Sequence, residues 1–319
     1  MATVDVIVLN CNGQHFLKPC LLALQKQSFR DFEMMVVDNG STDGSVVLLQ
    51  REFPEVRILE LPENLGFCAG NNRGIEATWG RYVALLNNDT EAESGWLQAL
   101  VEALENQPDV GFCASRMIRM SDRVTVDTAG DLFHVFGVGG KRGKGKPKDS
   151  YTEPGKVFGA CAGAAIYRRA MLEEIGLFDE DFFATNEDID LSFRARLHGY
   201  NCAYVPDAVV YHHVGGSFGN LSHLSDRLAR RNMLEVVIKN MPAWLLLKYG
   251  PFIATYYAAG DIFYMLRRDP SVVLQARWEN IRRLRRTLAK RRMIQRKRVV
   301  CLRRLEEVLT HQWPRFSTF

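Results

Sequence analysis

Five short polar clusters hold the residues that could do chemistry. Asn87-Asn88-Asp89 directly follows the apolar run Tyr82–Leu86. A carboxylate held at a strand end can reach a hard cation. The same residues can also close an Asx turn or cap the next helix. Asp38-Asn39-Gly40-Ser41-Thr42-Asp43-Gly44 ends a second apolar run. It concentrates donors and acceptors suited to a nucleobase or ribose, and it can equally start a helix with Thr42 or Asp43 as cap. Asn64-Leu65-Gly66-Phe67 and Asn71-Asn72-Arg73-Gly74 combine glycines that allow close backbone approach with an arginine that can meet phosphate; a plain loop with a surface arginine has the same composition. Glu187-Asp188 open a helical pattern, where acids offset the macrodipole and where one of them can serve as a general base. His212-His213 end the run Ala208–Tyr211. A neutral imidazole there can ligate a metal or simply pack.

These clusters need elements to hold them. Val4–Leu9, Glu33–Val37, Val56–Glu60 and Tyr82–Leu86 are short, mainly apolar runs that read as strands. Between them, Phe16–Gln27, Val46–Glu52 and Asn71–Thr78 carry helical spacing, and Trp96–Asn106 is a further helix. Alternation of this kind predicts an α/β domain with a mostly parallel central sheet flanked by helices. In such sheets the carboxyl ends of the strands carry the site. Asn10–Asn12, Asp38–Asp43 and Asn87–Glu91 all fall there. Further on, Val157–Tyr167 reads as a strand, Arg169–Ile175 and Glu187–Arg196 as helices, and Ala203–Val205 and Ala208–His212 as strands. The basic, glycine-rich stretch 137–156 reads as a flexible loop able to close over a site.

The charge is uneven. The formal net charge is +4, yet residues 277–319 hold 14 Lys and Arg against 3 Asp and Glu. The body is therefore mildly acidic and the tail strongly basic, which points to an anionic partner surface. Residues 241–266 are apolar, but their longest charge-free stretch, Tyr249–Gly260, is 12 residues, against the roughly 20 a spanning helix needs. We read that segment as interfacial or core-packed. In the basic helix that follows, residues 274, 278, 281, 284 and 288 are apolar at helical spacing with arginines between them. This suits an anionic membrane rather than nucleic acid. The expected division is a catalytic domain at 1–220 and a helical, membrane-associating extension at 221–319. Seven cysteines without a CxxC pair suggest free thiols and a reducing compartment, and the early first strand suggests no signal peptide.

Together the clusters meet the needs of sugar transfer from a nucleotide diphosphate: groups for base and ribose, a cation for the leaving diphosphate, and a base for the acceptor hydroxyl. A nucleotidyltransferase would carry a lysine-bearing glycine loop after its first strand, which LNCNGQHF lacks. Residues 4–220 resemble family 2 glycosyltransferases of the GT-A fold, most closely the bacterial rhamnosyltransferase-like branch. The resemblance is carried by VIVLNCNGQHFLKPCLLAL, VVDNGSTDGS, NLGFCAGNNRGI, LLNNDTE, GACAGAAIYRRAMLEEIGLFDEDFF, NEDIDLSFRARLHGY and VVYHHVGGSFG, in the family's order.

The resemblance implies an inverting, metal-dependent transferase. Asp188 matches the catalytic base and Glu187 the acceptor-facing residue. Leu9, Asn10, Asn12, Asp38, Asn39, Asn64, Gly66, Arg73, Asn87 and Asn88 would bind the nucleotide-sugar. Asp89 matches the last residue of the metal-binding DxD-type motif, whose first acid is here Asn87. His212 matches the metal-binding histidine of an H-x-x-G-x-S pattern completed by Gly215 and Ser217, with His213 one register on. The implied cofactor is Mg2+ or Mn2+. The implied donor is dTDP-L-rhamnose, with a UDP-hexose as the alternative, and the acceptor is a glycan or lipid-linked glycan of bacterial surface polysaccharide. The expected location is cytoplasmic, peripheral on the inner membrane. A catalytically weak membrane scaffold is the non-enzymatic alternative.

Overall fold

The computed structural model describes residues 2–215 and 222–313. The first half alternates as expected: β1 (Val4–Asn10), α1 (Gln14–Gln25), β2 (Phe32–Asn39), α2 (Ser45–Glu52), β3 (Arg57–Leu61), α3 (Gly66–Glu76) and β4 (Tyr82–Asn87). Then follow β5 (Thr90–Ala92), α4 (Trp96–Asn106), β6 (Val110–Arg119), β7 (Val126–Thr128), β8 (Asp131–His134), β9 (Val138–Lys141), β10 (Gly155–Val157), β11 (Ala164–Arg168), α5 (Arg169–Ile175), α6 (Glu187–Leu197) and β12 (Asn201–His212). The helices α7 (Ser222–Asn240), α8 (Ala243–Arg267), α9 (Pro270–Arg296) and α10 (Leu302–Glu307) complete the chain.

The α/β fold is therefore present, and its sheet is mixed. The strand order is β10-β12-β6-β11-β4-β1-β2-β3. Strands β3, β2, β1 and β4 are parallel, β11 runs antiparallel to both β4 and β6, and β12 returns parallel to β6. Both faces are covered, which explains the mainly apolar runs. Alternate residues of β1 enter different cores: Ile7 packs with Val37, Val83 and Leu85 on one face, while Val4, Val6 and Val8 pack with Leu17, Leu21 and Trp96 on the other. The register places Asn10 opposite Asp38 and Leu9 opposite Asn87, so three polar clusters share one sheet edge.

Four local readings change. The run Val157–Tyr167 is not one strand: β10 ends at Val157 and β11 begins at Ala164. Helix α3 starts at Gly66, five residues before the expected Asn71. The two short runs after Gly199 are one strand, β12, whose register with β6 shifts between Val205 and Val209. The basic stretch 137–156 is built structure rather than a flexible loop. Gly137, Gly143 and Gly145 turn the chain at positive φ, β8 and β9 form a hairpin, and Arg142 stacks 4.6 Å from the Tyr151 ring and 5.1 Å from the Tyr204 ring.

The C-terminal helices are bonded into the domain. Helix α7 buries Arg230, Arg231, Asn232, Glu235, Lys239 and Asn240. Lys239 pairs with Asp179 at 2.5 Å and Asp190 at 2.8 Å, and the Asn240 amide donates to Asp190. From α9, Lys290 pairs with Asp179 and Asp181, and Arg283 donates to the Asp181 carbonyl. The segment between α5 and α6 needs such bracing, because Phe183, Thr185 and Asn186 all adopt positive φ. The Asn232 amide donates to the carbonyls of Phe182, Ala184 and Thr185. Among the described residues, no helix is long and apolar enough to cross a membrane, and all seven cysteines are free.

Removing Lys239 takes one cation from the buried Asp190 and one from the half-buried Asp179, which among the described residues keep only Arg194 and Lys290 respectively. The variant Lys239→Met is expected to lose about 3–5 kcal/mol in urea unfolding. Removing the exposed Lys18–Glu52 pair with Lys18→Met is expected to leave the midpoint in place.

Candidate active site at the strand edge

The edge of β1, β2 and β4 holds one connected polar network. The Asn10 amide donates to Asp38 Oδ1 at 3.1 Å and accepts from Asn88 at 2.7 Å. The Ser41 N–H donates to Asp38 Oδ2, and the Asn12 side chain accepts from the Thr42 N–H at 2.7 Å. Asn39 extends the network through its amide to Asn64 and the Gly66 carbonyl, and it accepts from the Leu65 N–H. Gly70 lies against Leu9, where a Cβ would stand 2.5 Å from the Leu9 side chain. Gly66 has φ +84°, and a Cβ there would stand 2.5 Å from the Phe183 ring. The Cys68 N–H donates to the Phe183 carbonyl. The loops of the first three strands are thus tied to the strained turn before α6.

Arg73 stands outside this network. Its guanidinium pairs with Glu180 at 3.0 Å and Glu76 at 3.2 Å. Asn87 closes the edge through backbone bonds: its N–H donates to the Gly163 carbonyl, and its own carbonyl accepts from Thr90 at 2.6 Å.

Asp89 and His212 meet because β5 pairs antiparallel with the end of β12, with His212 opposite Thr90. His212 Nε2 lies 3.5 Å from Asp89 Oδ1, and Nδ1 lies 3.0 Å from Asp127 Oδ2. His213 turns the other way, its ring 5.2 Å from that of Phe16. Gly215 is at positive φ, and Ser217 lies outside the described residues. Burial pulls the His212 imidazolium down, but its bonds to Asp127 and Asp89 outweigh this and push it up to about 9. Burial acts to raise Asp127, yet His212 and Lys141 hold it well below the usual carboxylate range.

Among the described residues, no group of three His, Cys, Asp or Glu side chains is arranged to hold a metal ion. Asp89 and His212 supply two donors of suitable chemistry. Asp127 fixes Nδ1 and leaves Nε2 aimed toward Asp89, the arrangement by which a carboxylate orients a ligating imidazole. The donor set therefore fits a divalent cation completed by ligand oxygens, with His212 giving up its Nε2 proton as the cation takes its place beside Asp89.

A second group of acids lies nearby. Asp188 sits in the first turn of α6 and accepts the Ile189 N–H at 2.8 Å. Burial raises its carboxyl above the ordinary range. Glu187 and Asp131 are also raised, first by burial and then by the Asp188 charge. One Glu187 carboxylate oxygen is buried with no hydrogen-bond partner among the described residues. Lys141 is the cation that joins the two groups: it bonds Asp127 at 2.8 Å, and its charge acts on Asp131 and Asp188.

Asp127, Asp131 and Lys141 escape the sequence reading. Val124-Thr125-Val126-Asp127 is a β-branched run ending in an acid, the same signature that marks Asp89, and it could have been found. Asp131 and Lys141 face the site only because the β8–β9 hairpin folds, which composition does not announce.

The family model for glycosyl transferase family 2 matches residues 5–176, more than half of the chain. The N-acetylglucosaminyl-diphospho-decaprenol L-rhamnosyltransferase of Mycobacterium tuberculosis is 29% identical over 248 residues, covering 69% of this chain and 79% of that protein. Among solved structures, the mannosyltransferase PcManGT of Pyrobaculum calidifontis, in complex with GDP-Man and Mn2+, aligns with a TM-score of 0.55 at 18% identity. The alignment covers 92% of this chain and 85% of that one. GalNAc-T7 with UDP, GalNAc and Mn2+ aligns with a TM-score of 0.60 at 16% identity, over 75% of this chain and 48% of its own length. With the GT-A arrangement shared by these structures and the family match at its core, this chain belongs to glycosyl transferase family 2 and is a glycosyltransferase.

Proposed function

We propose that this enzyme transfers L-rhamnose from dTDP-L-rhamnose to a hydroxyl of a lipid-linked glycan, with inversion, in the assembly of a bacterial surface polysaccharide. The observation that carries the reading is the convergence on one sheet edge of the Asn10–Asp38–Asn88 network and the Asp89–His212 pair, with Lys141 linking that pair to Asp188. The likeness to the mycobacterial L-rhamnosyltransferase supports the choice of donor and of a lipid-linked acceptor.

In this reading Leu9, Asn10, Asn12, Asp38 and Asn39 hold base and ribose, and Asn64, Gly66, Asn87 and Asn88 shape the wall beside the diphosphate. Asp89 and His212 hold Mg2+ or Mn2+, which when bound neutralises the leaving diphosphate; the Mn2+ in the two solved relatives supports a divalent cation. Asp127 orients His212. Glu187 faces the acceptor. Asp188 takes the proton from the acceptor hydroxyl as that oxygen attacks the anomeric carbon opposite the diphosphate. Burial of Asp188 raises its basicity and so strengthens it as a proton acceptor.

Residues 1–220 would form the catalytic unit and residues 221–319 the part that meets an anionic membrane on its cytoplasmic face. Leu274, Trp278, Ile281, Leu284 and Leu288, the apolar positions of the basic helix, are all exposed. On α8, Trp244, Leu247, Phe252, Ile262, Phe263 and Leu266 are exposed too. Such a surface, interleaved with arginines, suits anionic lipid.

Asp188→Asn is expected to fold normally, bind donor as before and lose about 10²–10⁴ of kcat. In the parent enzyme the base must be deprotonated and its pKa is raised. Activity is therefore expected to fall as pH drops through a value above the ordinary carboxylate figure of about 4, and this limb is expected to vanish in the variant. Full activity in Asp188→Asn would overturn the assignment. Asp127→Asn is expected to raise the metal concentration giving half-maximal rate by about 10–100-fold, while the donor KM at saturating metal stays unchanged. An unaltered metal requirement would remove Asp127 from the site.

A further inference from the structure

A cleft lies among the C-terminal helices, bounded by the start of α8, the last turns of α9 and the start of α10. Its volume is about 490 Å³, and Trp244, Leu288 and Leu302 line it together with Arg291, Arg292 and Arg298. Among the described residues, no acidic residue lines it. Two of its polar side chains are committed to the end of α7. Arg291 donates to the carbonyls of Ile238 and Met241, and Gln295 donates to those of Lys239 and Asn240. These bonds satisfy the last carbonyls of that helix, where a cation is also favoured by the macrodipole.

Arg292 and Arg298 have no such work. Among the described residues, Arg292 is exposed and makes no ion pair, and Arg298 Nη1 is buried with no hydrogen-bond partner. An unsatisfied buried donor on a charged group is costly, and an anion bound in the cleft would relieve it. A guanidinium fork is matched to phosphate oxygens. Two uncommitted guanidinium charges balance a dianion. The rim is apolar: Trp244 is 60% and Leu288 39% exposed, and both continue into the exposed faces of α8 and α9.

We propose that this cleft binds the dianionic phosphate headgroup of a membrane lipid, with the lipid chains lying along Trp244 and Leu288. The proposal rests on the membrane-facing reading above and adds a specific headgroup site to it. Arg292 and Arg298 clasp the phosphate, Arg291 shields the end of α7 from it, and Trp244 sits at the level of the glycerol backbone. Such a site fixes the orientation of the enzyme on the bilayer, which diffuse attraction to negative charge does not.

The test is flotation of the full chain with three kinds of vesicle at physiological salt. One is phosphatidylcholine alone; the others contain phosphatidic acid or phosphatidylglycerol, matched in surface potential. Binding to phosphatidic acid is expected to be at least about tenfold tighter than to phosphatidylglycerol, the effect of one charge-assisted hydrogen bond. The double variant Arg292→Gln/Arg298→Gln is expected to lose that preference. The control Arg282→Gln/Arg285→Gln removes the same charge from exposed positions of α9; it is expected to weaken both lipids alike and keep the ratio. Equal affinity for the two anionic lipids, or a preference that survives the cleft variant, overturns the headgroup site while leaving the membrane reading standing. Absence of binding to every vesicle overturns both. If inorganic phosphate alone raises the Tm of the parent chain but not of the cleft variant, and no lipid preference exists, the occupant is free phosphate and the lipid proposal falls. It falls equally if gel filtration gives a dimer that the cleft variant dissociates, since a second copy then fills the cleft.

Discussion

A three-residue strand sets the geometry of the site. Asp89 leaves the carboxyl end of β4, and the chain then pairs Thr90, Glu91 and Ala92 with His212, Tyr211 and Val210 at the end of β12. Residues more than a hundred positions apart are thereby held within 3.5 Å, with the imidazole aimed at the carboxylate. Strand pairing fixes this placement more tightly than a loop could, because a one-residue slip would turn His212 to the opposite face. That slip would present His213, whose ring instead lies against Phe16. The backbone bond from the His213 N–H to the Asp89 carbonyl locks the register.

The second constraint is electrostatic. Acids gather in the middle of the molecule, and the chain answers them in two ways. Asp127 is held ionised by Lys141 and His212, and Asp179 and Asp190 by Lys239, Lys290 and Arg194. Asp131, Glu187 and Asp188 are only partly compensated, and burial raises their carboxyls. The first set anchors structure and the second is left poised, a contrast usual where a group must exchange a proton. The same anchoring explains why the C-terminal helices cannot be read as a loose appendage. Lys239 from α7 and Lys290 from α9 hold Asp179, at the head of the segment whose Phe183, Thr185 and Asn186 are at positive φ. Asn232 holds the carbonyls in between.

Much of this was legible in the sequence, for physical reasons. Parallel strands buried on both faces are mainly apolar runs, so β1, β2 and β4 stand out, and the polar residues that end them mark the sheet edge. The helix that carries Asp188 was visible because it leaves a clear pattern of acids in its first turn, arginines near its end and a terminal glycine, whereas the choice of Asp188 over Glu187 came from the family resemblance. What escaped depends on tertiary contact. Lys141 belongs to a glycine-rich, basic stretch whose composition suggests mobility, and only its pairing with β8 and the stacking of Arg142 on Tyr151 and Tyr204 give it a fixed place. Arg73 looks like a phosphate ligand in sequence, and the fold brings Glu180 beside its guanidinium at 3.0 Å, a partner that sequence spacing does not show. The apolar stripe at residues 274, 278, 281, 284 and 288 was legible as a stripe, and its exposure depends on α9 packing through the arginines and lysine on its other side.

The central claim is that Asp188 activates an acceptor hydroxyl that displaces the nucleotide diphosphate in one step from the opposite face. The anomeric configuration of the product reports on this directly. With an α- or β-configured nucleotide-sugar of known geometry as donor, NMR of the first-formed glycoside should show the opposite anomeric configuration. Retained configuration would require two displacements or front-face attack, and would contradict the account.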